Sequence, residues 1–238
     1  MELTYQALIN NSFIEHTKLT LKNEEKLTYF IDKTSGIVNL ERYPIVQYGI
    51  VKSDDIIINN NGHNDFYYKF IKSSLAQLDK IIDLDFEEMT TTYGSMIDIY
   101  NVSSSSSFND FVIGEAYPQR SAEGSWWDIL WKDSNFVAGV DSTANRNTII
   151  HEIGHALGLK HPFDDPTNKL WSSENTVMSY NPGPNGWDYW FSETDLDALI
   201  NIWGRENDQN YINFKKNSFE YKYKRTPNKE YLINTNSG

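Results

Sequence analysis

Three of the chain's five histidines fall in the run His151-Glu152-Ile153-Gly154-His155-Ala156-Leu157-Gly158-Leu159-Lys160-His161. His151 and His155 are four residues apart, so on an α-helix both imidazoles project from one face. Two nitrogen ligands at that spacing converge on one zinc ion. Glu152 is rotated to the flank of the same face. There it reaches water at the metal without ligating the metal, which is where a general base belongs. A catalytic zinc takes three protein ligands and keeps one position open. A continuing helix would carry the next histidine away. Gly158 can adopt positive φ, stop the helix and turn the chain back. His161 then returns to the metal, and Pro162 prevents the helix from resuming. Two rival readings fit less well. A core helix with incidental polar residues would bury three imidazoles and a carboxylate without partners, which is costly. A two-histidine site with a distant glutamate as third ligand leaves Gly158 and His161 without a role.

The run resembles the metzincin zinc-binding consensus, H-E-x-x-H-x-x-G-x-x-H. Its flanks, Thr148-Ile149-Ile150 and His161-Pro162, look like the serralysin-type branch of bacterial secreted metallopeptidases. Thr176-Val177-Met178-Ser179-Tyr180 is similar to that family's Met-turn followed by its tyrosine. The resemblance is specific over residues 110–205, weaker over 26–109 and absent at both ends. It implies one catalytic Zn2+ on His151, His155 and His161, with Glu152 as the base. It also implies Met178 as an apolar floor beneath the ligands, and Tyr180 as the group that reaches the metal and stabilises an oxyanion. Phe111-Val112-Ile113-Gly114-Glu115-Ala116-Tyr117, ending at Pro118, looks like the family's cleft-lining edge strand. Ile113, Gly114, Glu115 and Ala116 would then bind substrate, because an exposed edge offers free N–H and C=O groups to an extended peptide. The plainer alternative is an edge strand with no substrate. Serralysin-like proteins usually continue into glycine- and aspartate-rich calcium-binding repeats. No such nonapeptide occurs in the sequence, so Ca2+ is implied by the resemblance alone.

Composition narrows the partners. There are no cysteines, which removes disulfides, thiolate metal sites, cysteine nucleophiles and a cysteine-based latency switch. The formal charge of −12 argues against nucleic acid and against anionic membranes, since phosphate binding needs clustered Lys and Arg. The first residues, Met1-Glu2-Leu3-Thr4-Tyr5-Gln6, show neither a basic n-region nor an apolar h-region. No stretch approaches the ~18 apolar residues of a membrane span. The expected partner is a protein or peptide substrate, and the chain is expected to be a monomer. The resemblance implies a secreted, extracellular protein exported without an N-terminal signal peptide.

The elements that must position these residues are partly readable. Residues 1–25 read as an arm, a pro-segment or an ordered extension. Leu27–Ile31 has strand character, and residues 34–63 form a long connection with short strands at Ile45-Val46 and Ile56–Ile58. A helix over 65–82 places Tyr67, Phe70, Ile71, Leu75, Leu78 and Ile82 on one face, with Asn64 or Asp65 as its N-cap. His63, just before that cap, reads as a solvated loop histidine. Strands follow at Leu84–Glu87 and Ile97–Tyr100, and the serine run 103–107 reads as a flexible loop. Trp126–Trp131 reads as a central strand. Trp127, Ile129 and Trp131 share one face, which favours core packing over a sugar platform.

Asp141-Ser142-Thr143 supplies N-cap candidates for the zinc helix, and Ile149, Ile150, Ile153, Ala156 and Leu157 form its apolar side. Asp164, Asp165 and Glu174 read as solvated loop residues, and residues 181–190 as irregular cleft wall. Ser192 and Asp195 approximate a capping box before the stripe Leu196, Leu199, Ile200 and Trp203, and Gly204 ends that helix. Beyond 211, Phe219, Tyr221 and Tyr223 alternate as a strand, with a second at Tyr231–Ile233.

The fold class that follows is α+β. A metzincin-like catalytic domain over 26–207 would hold a twisted, mostly parallel five-stranded sheet and three helices. A β-rich appendage would occupy 208–238. The function expected is a secreted zinc-dependent endopeptidase. A self-processing module of a larger protein is one alternative. The other is a protease-derived protein- or glycan-binding module, against which Glu152 argues because a pure binder needs no base.

Overall fold

The computed structural model describes residues 2–22, 24–40, 45–47, 50–52, 56–109, 111–121, 124–133 and 142–206. Its centre is β7 (Ile97–Ser105), a nine-residue strand with neighbours on both sides. On one side β7 pairs in parallel with β9 (Ser125–Lys132). On the other, its first residues pair in parallel with β1 (Lys26–Ile31), which pairs in parallel with β6 (Asp85–Glu88). β8 (Gly114–Arg120) lies antiparallel on β9 and has no further partner strand among the described residues. Within these five strands four run parallel and β8 is an antiparallel edge.

Two further strands enlarge it to a mixed open sheet of seven. β2 (Gly36–Leu40) and β5 (Ile56–Asn60) pair antiparallel, and β5 continues onto the last residues of β7. This corrects the five-stranded expectation. It also corrects the serine run: Ser103–Ser105 belong to β7, because β5 supplies a partner for their backbone. β3 (Ile45–Gln47) and β4 (Ile50–Lys52) form a separate two-stranded ladder. Pro118 does not end β8 but lies within it, which an edge strand tolerates where the missing N–H would face outward.

The described residues contain four α-helices where three were expected. α1 (Asn11–Leu21) is the addition, capped by the Asn10 side chain, which accepts from the N–H groups of Ser12 and Phe13. It packs against β9 and the histidine-bearing helix that follows it in the chain after residue 141. α2 (Asp65–Leu78) has Asn64 as its N-cap and buries Tyr67, Ile71, Leu75 and Leu78, as its period predicts. α3 (Ser142–Ala156) carries the histidines and packs on β8 and β9. α4 (Glu193–Trp203) opens with a full capping box of Ser192 and Asp195 and closes at Gly204.

Trp127, Ile129 and Trp131 are all fully buried in the core between sheet and helices. The Trp127 indole donates to Thr17 of α1 and the Trp131 indole to His63. His63 is therefore not a solvated loop residue. It is 4% exposed, and its two nitrogens have distinct jobs. Nε2 accepts from the Trp131 N–H at 2.8 Å, so Nδ1 carries the proton and donates to the Asp32 carbonyl at 2.7 Å. Burial holds its pKa down to about 4. The predicted strands beyond 211 and the N-cap candidate Asp141 lie outside the described residues.

Candidate metal centre

α3 buries Ile149, Ile150, Ile153, Ala156 and Leu157 toward the core. That apolar side fixes the helix rotation and turns His151 and His155 the other way. The helix ends at Ala156, and Gly158 takes φ +101, the conformation its position in the motif called for. A β-carbon there would also lie 2.6 Å from Ile14 of α1, so space and backbone both require glycine. The N-terminal segment braces this turn. The Asn10 N–H donates to the Gly158 carbonyl at 2.9 Å, and the Lys160 N–H to the Leu8 carbonyl at 2.7 Å.

The turn returns His161 to its partners. The nearest ligand atoms of His151, His155 and His161 all lie within 4.8 Å of one another, a group that could hold a metal ion. His151 Nε2 and His161 Nε2 are 3.2 Å apart. Two nitrogens bound tetrahedrally to zinc at ~2.0–2.1 Å stand about 3.3 Å from each other, so this pair has the spacing of two zinc ligands. The opposite nitrogens are anchored. His151 Nδ1 bonds the Val177 carbonyl and His155 Nδ1 the Leu159 carbonyl, each at 2.9 Å. A carbonyl only accepts, so the proton sits on Nδ1 and the Nε2 lone pair is free for metal. Burial, then the neighbouring imidazoles, holds His151 well below the usual histidine range and His155 down to about 4. Burial lowers His161 as well. All three rings are thereby kept neutral, the form that ligates.

Glu152 is 5% exposed and lies between α3 and the edge strand. Burial pushes its carboxyl well above the usual range and Glu115 pushes it further, while a hydrogen bond from the Ala116 backbone N–H opposes both. A carboxyl raised in this way holds a proton more readily than a solvated one. Gly114 makes the close approach possible, since a β-carbon there would lie 2.5 Å from Glu152 Oε1.

β8 presents a free edge beside these groups. The Lys132 N–H donates to the Ile113 carbonyl at 2.7 Å. Antiparallel alternation then turns the backbone of Glu115 and Tyr117 toward β9 and that of Gly114, Ala116 and Pro118 outward. Of the four residues expected to bind substrate, Gly114 and Ala116 thus turn their backbone away from β9, the Ala116 N–H reaching Glu152. Ile113 precedes the strand, and Glu115 contributes a side chain.

Met178 is fully buried beneath α3, its sulfur 2.9 Å from where a β-carbon of Gly154 would be. The Tyr180 ring lies 4.9 Å from His161 and 5.4 Å from His151, centre to centre, and is 51% exposed. Burial, then Glu152 and Glu115, pushes its phenol up to about 12, so the hydroxyl remains a donor at neutral pH. Asp164 and Asp165 are exposed and Glu174 half-buried. Asp164 pairs with Lys160 at 2.7 Å.

Sequence reasoning missed one buttress. Asp195 is fully buried, and its carboxylate accepts from the Thr176 hydroxyl and the N–H groups of Val177 and Ser192. Val177 in turn accepts from His151, so Asp195 ties α4 to an imidazole of the candidate metal site through one residue. The capping-box pattern revealed Asp195, but nothing local revealed its second job. Compared with known proteins, the chain matches no family model, and no curated protein matches it.

Proposed function

We propose that the protein is a zinc-dependent endopeptidase with a serralysin-like metzincin catalytic domain. The observation that carries this reading is the convergence of three imidazoles beside the buried Glu152 and a strand edge with no further partner strand among the described residues. Zinc bound by His151, His155 and His161 would supply Lewis acidity, polarising a carbonyl and acidifying water. Glu152 accepts the proton of the attacking water and passes it to the leaving amine. The Tyr180 hydroxyl donates to the oxyanion as charge develops on the carbonyl oxygen. The outward N–H of Gly114 and the outward carbonyls of Gly114, Ala116 and Pro118 hold the peptide as an added strand, while the Ala116 N–H stays on Glu152. Substrate is protein or peptide, and the sequence resemblance implies action outside the cell. No helix among the described residues is long and apolar enough to cross a membrane.

The test is to incubate zinc-loaded protein with a peptide library, with and without a chelator. The reading predicts cleavage at internal bonds, lost with the chelator and restored by zinc. A folded, zinc-loaded protein that cleaves no peptide and no protein substrate would overturn it.

A further inference from the structure

Glu115 is the only acidic residue of β8. It is paired with Leu130, so its side chain lies on the sheet face opposite the one that Trp127, Ile129 and Trp131 present to the helices. Its own N–H and C=O face β9. An antiparallel peptide added to the free edge therefore meets Glu115 in a non-hydrogen-bonded pair, where facing Cα atoms come within about 4.5 Å and side chains are closest. The peptide's side chain at that position stands on the same face as the Glu115 carboxylate.

That carboxylate is held in place but not neutralised. The Tyr117 hydroxyl donates to Glu115 Oε2 and lies 2.6 Å from Ser107 Oγ. The other carboxylate oxygen has no hydrogen-bond partner, and no Lys or Arg lies within ion-pair distance, among the described residues. An immobilised, half-buried anion without a counter-ion repels acidic side chains and favours cationic ones.

We propose that β8 selects basic peptides: the substrate residue opposite Glu115 is Lys or Arg. This rests on the endopeptidase reading, in which a peptide extends β8. A cationic side chain there gains a charge-assisted hydrogen bond, and an acidic one meets repulsion. Preference for Lys over Glu at that one position is on the order of tenfold, and weakens as salt screens it.

The test compares peptides that differ only at single positions as Lys, Gln or Glu. Hydrolysis is measured for zinc-loaded wild type, Glu115→Gln and Glu115→Lys. The proposal predicts one position where Lys is favoured, a flat response there in Glu115→Gln and an inverted one in Glu115→Lys, each read as the ratio of Lys to Glu peptide within one variant. A wild type without such a position, or one whose preference survives Glu115→Gln, overturns it. The same peptides are titrated by fluorescence anisotropy against zinc-loaded Glu152→Ala protein and its Glu115→Gln double variant. If nothing is hydrolysed, the endopeptidase reading fails, and this titration still decides the role of Glu115. A Lys preference lost with Glu115→Gln supports it, and equal binding of all peptides overturns it.

Discussion

The Glu152 carboxylate lies against Gly114, the one residue of β8 without a side chain. A β-carbon there would meet Glu152 Oε1 at 2.5 Å and the Thr148 methyl at 2.6 Å. Gly114 is not in the left-handed region, so alanine fits its backbone and only these contacts oppose it. Gly114→Ala should therefore displace Glu152 or lift the edge strand. Overpacking of this kind costs about 1–3 kcal/mol. A ~1 Å misplacement of a reacting group can cost on the order of 10²-fold in rate. The expected result is a loss of kcat/KM of about tenfold or more with zinc content unchanged, read from peptide hydrolysis and elemental analysis. Unchanged turnover would show that Glu152 does not need this contact.

Tyr180→Phe should lower turnover while sparing zinc and ground-state affinity. The ring sits beside His151 and His161 but is half exposed, and the group that could hold a metal ion is complete without it. A donor aimed at an oxyanion acts in the transition state, and losing one typically costs ~10²–10³ in kcat. A tyrosine that merely packed there would cost less than about threefold. Measuring kcat and KM on one fluorogenic peptide separates the two outcomes.

Much of this site is legible in sequence because its spacing is local. His151, Glu152 and His155 occupy one helical turn, and Gly158 announces the break that returns His161. The illegible parts have distant partners. His63 is buried by Asp32 and Trp131, which lie 31 and 68 residues away in sequence. The serines of β7 carry no apolar alternation, and only the pairing with β5 makes them a strand. α1 reads as a mixed polar segment because its partners are Trp127, Ala156 and Gly158, far along the chain.

Asp195→Asn should weaken both the fold and the metal site. An amide that keeps its oxygen on the N–H groups of Val177 and Ser192 turns its NH2 toward the Thr176 hydroxyl, which must then stop donating, and the charge-assisted bonds of the carboxylate are lost. Such a loss costs about 1–3 kcal/mol. Because Val177 orients His151, zinc affinity should fall on the order of 10–100-fold, as for other groups that orient a ligand. Calorimetry and competition with a zinc chelator measure the two effects. Lower stability with unchanged zinc affinity would reduce Asp195 to a helix cap.

Asp98 and Asp128 stand opposite each other on β7 and β9, 4% and 2% exposed. Burial, then the Asp128 charge, pushes the Asp98 carboxyl up to about 8, and its Oδ1 has no hydrogen-bond partner. A folded pKa above the unfolded value means the contribution is fully present below pH ~4 and is lost as pH rises through about 8. Asp98→Asn removes this titration. The stability of the variant relative to wild type should rise between pH 5 and 8, by about 1–3 kcal/mol. Urea unfolding of both proteins at several pH values checks it. A difference that does not change with pH would contradict the shared burial of the two carboxylates.

Turnover of Glu152→Ala against wild type, at equal zinc content, tests the central claim most directly. The account assigns Glu152 to proton transfer and not to ligation. The variant should therefore be folded, carry one zinc per chain and hydrolyse a peptide ~10²–10⁴-fold more slowly. A variant that keeps more than about a tenth of wild-type turnover, or that loses its zinc, contradicts that assignment.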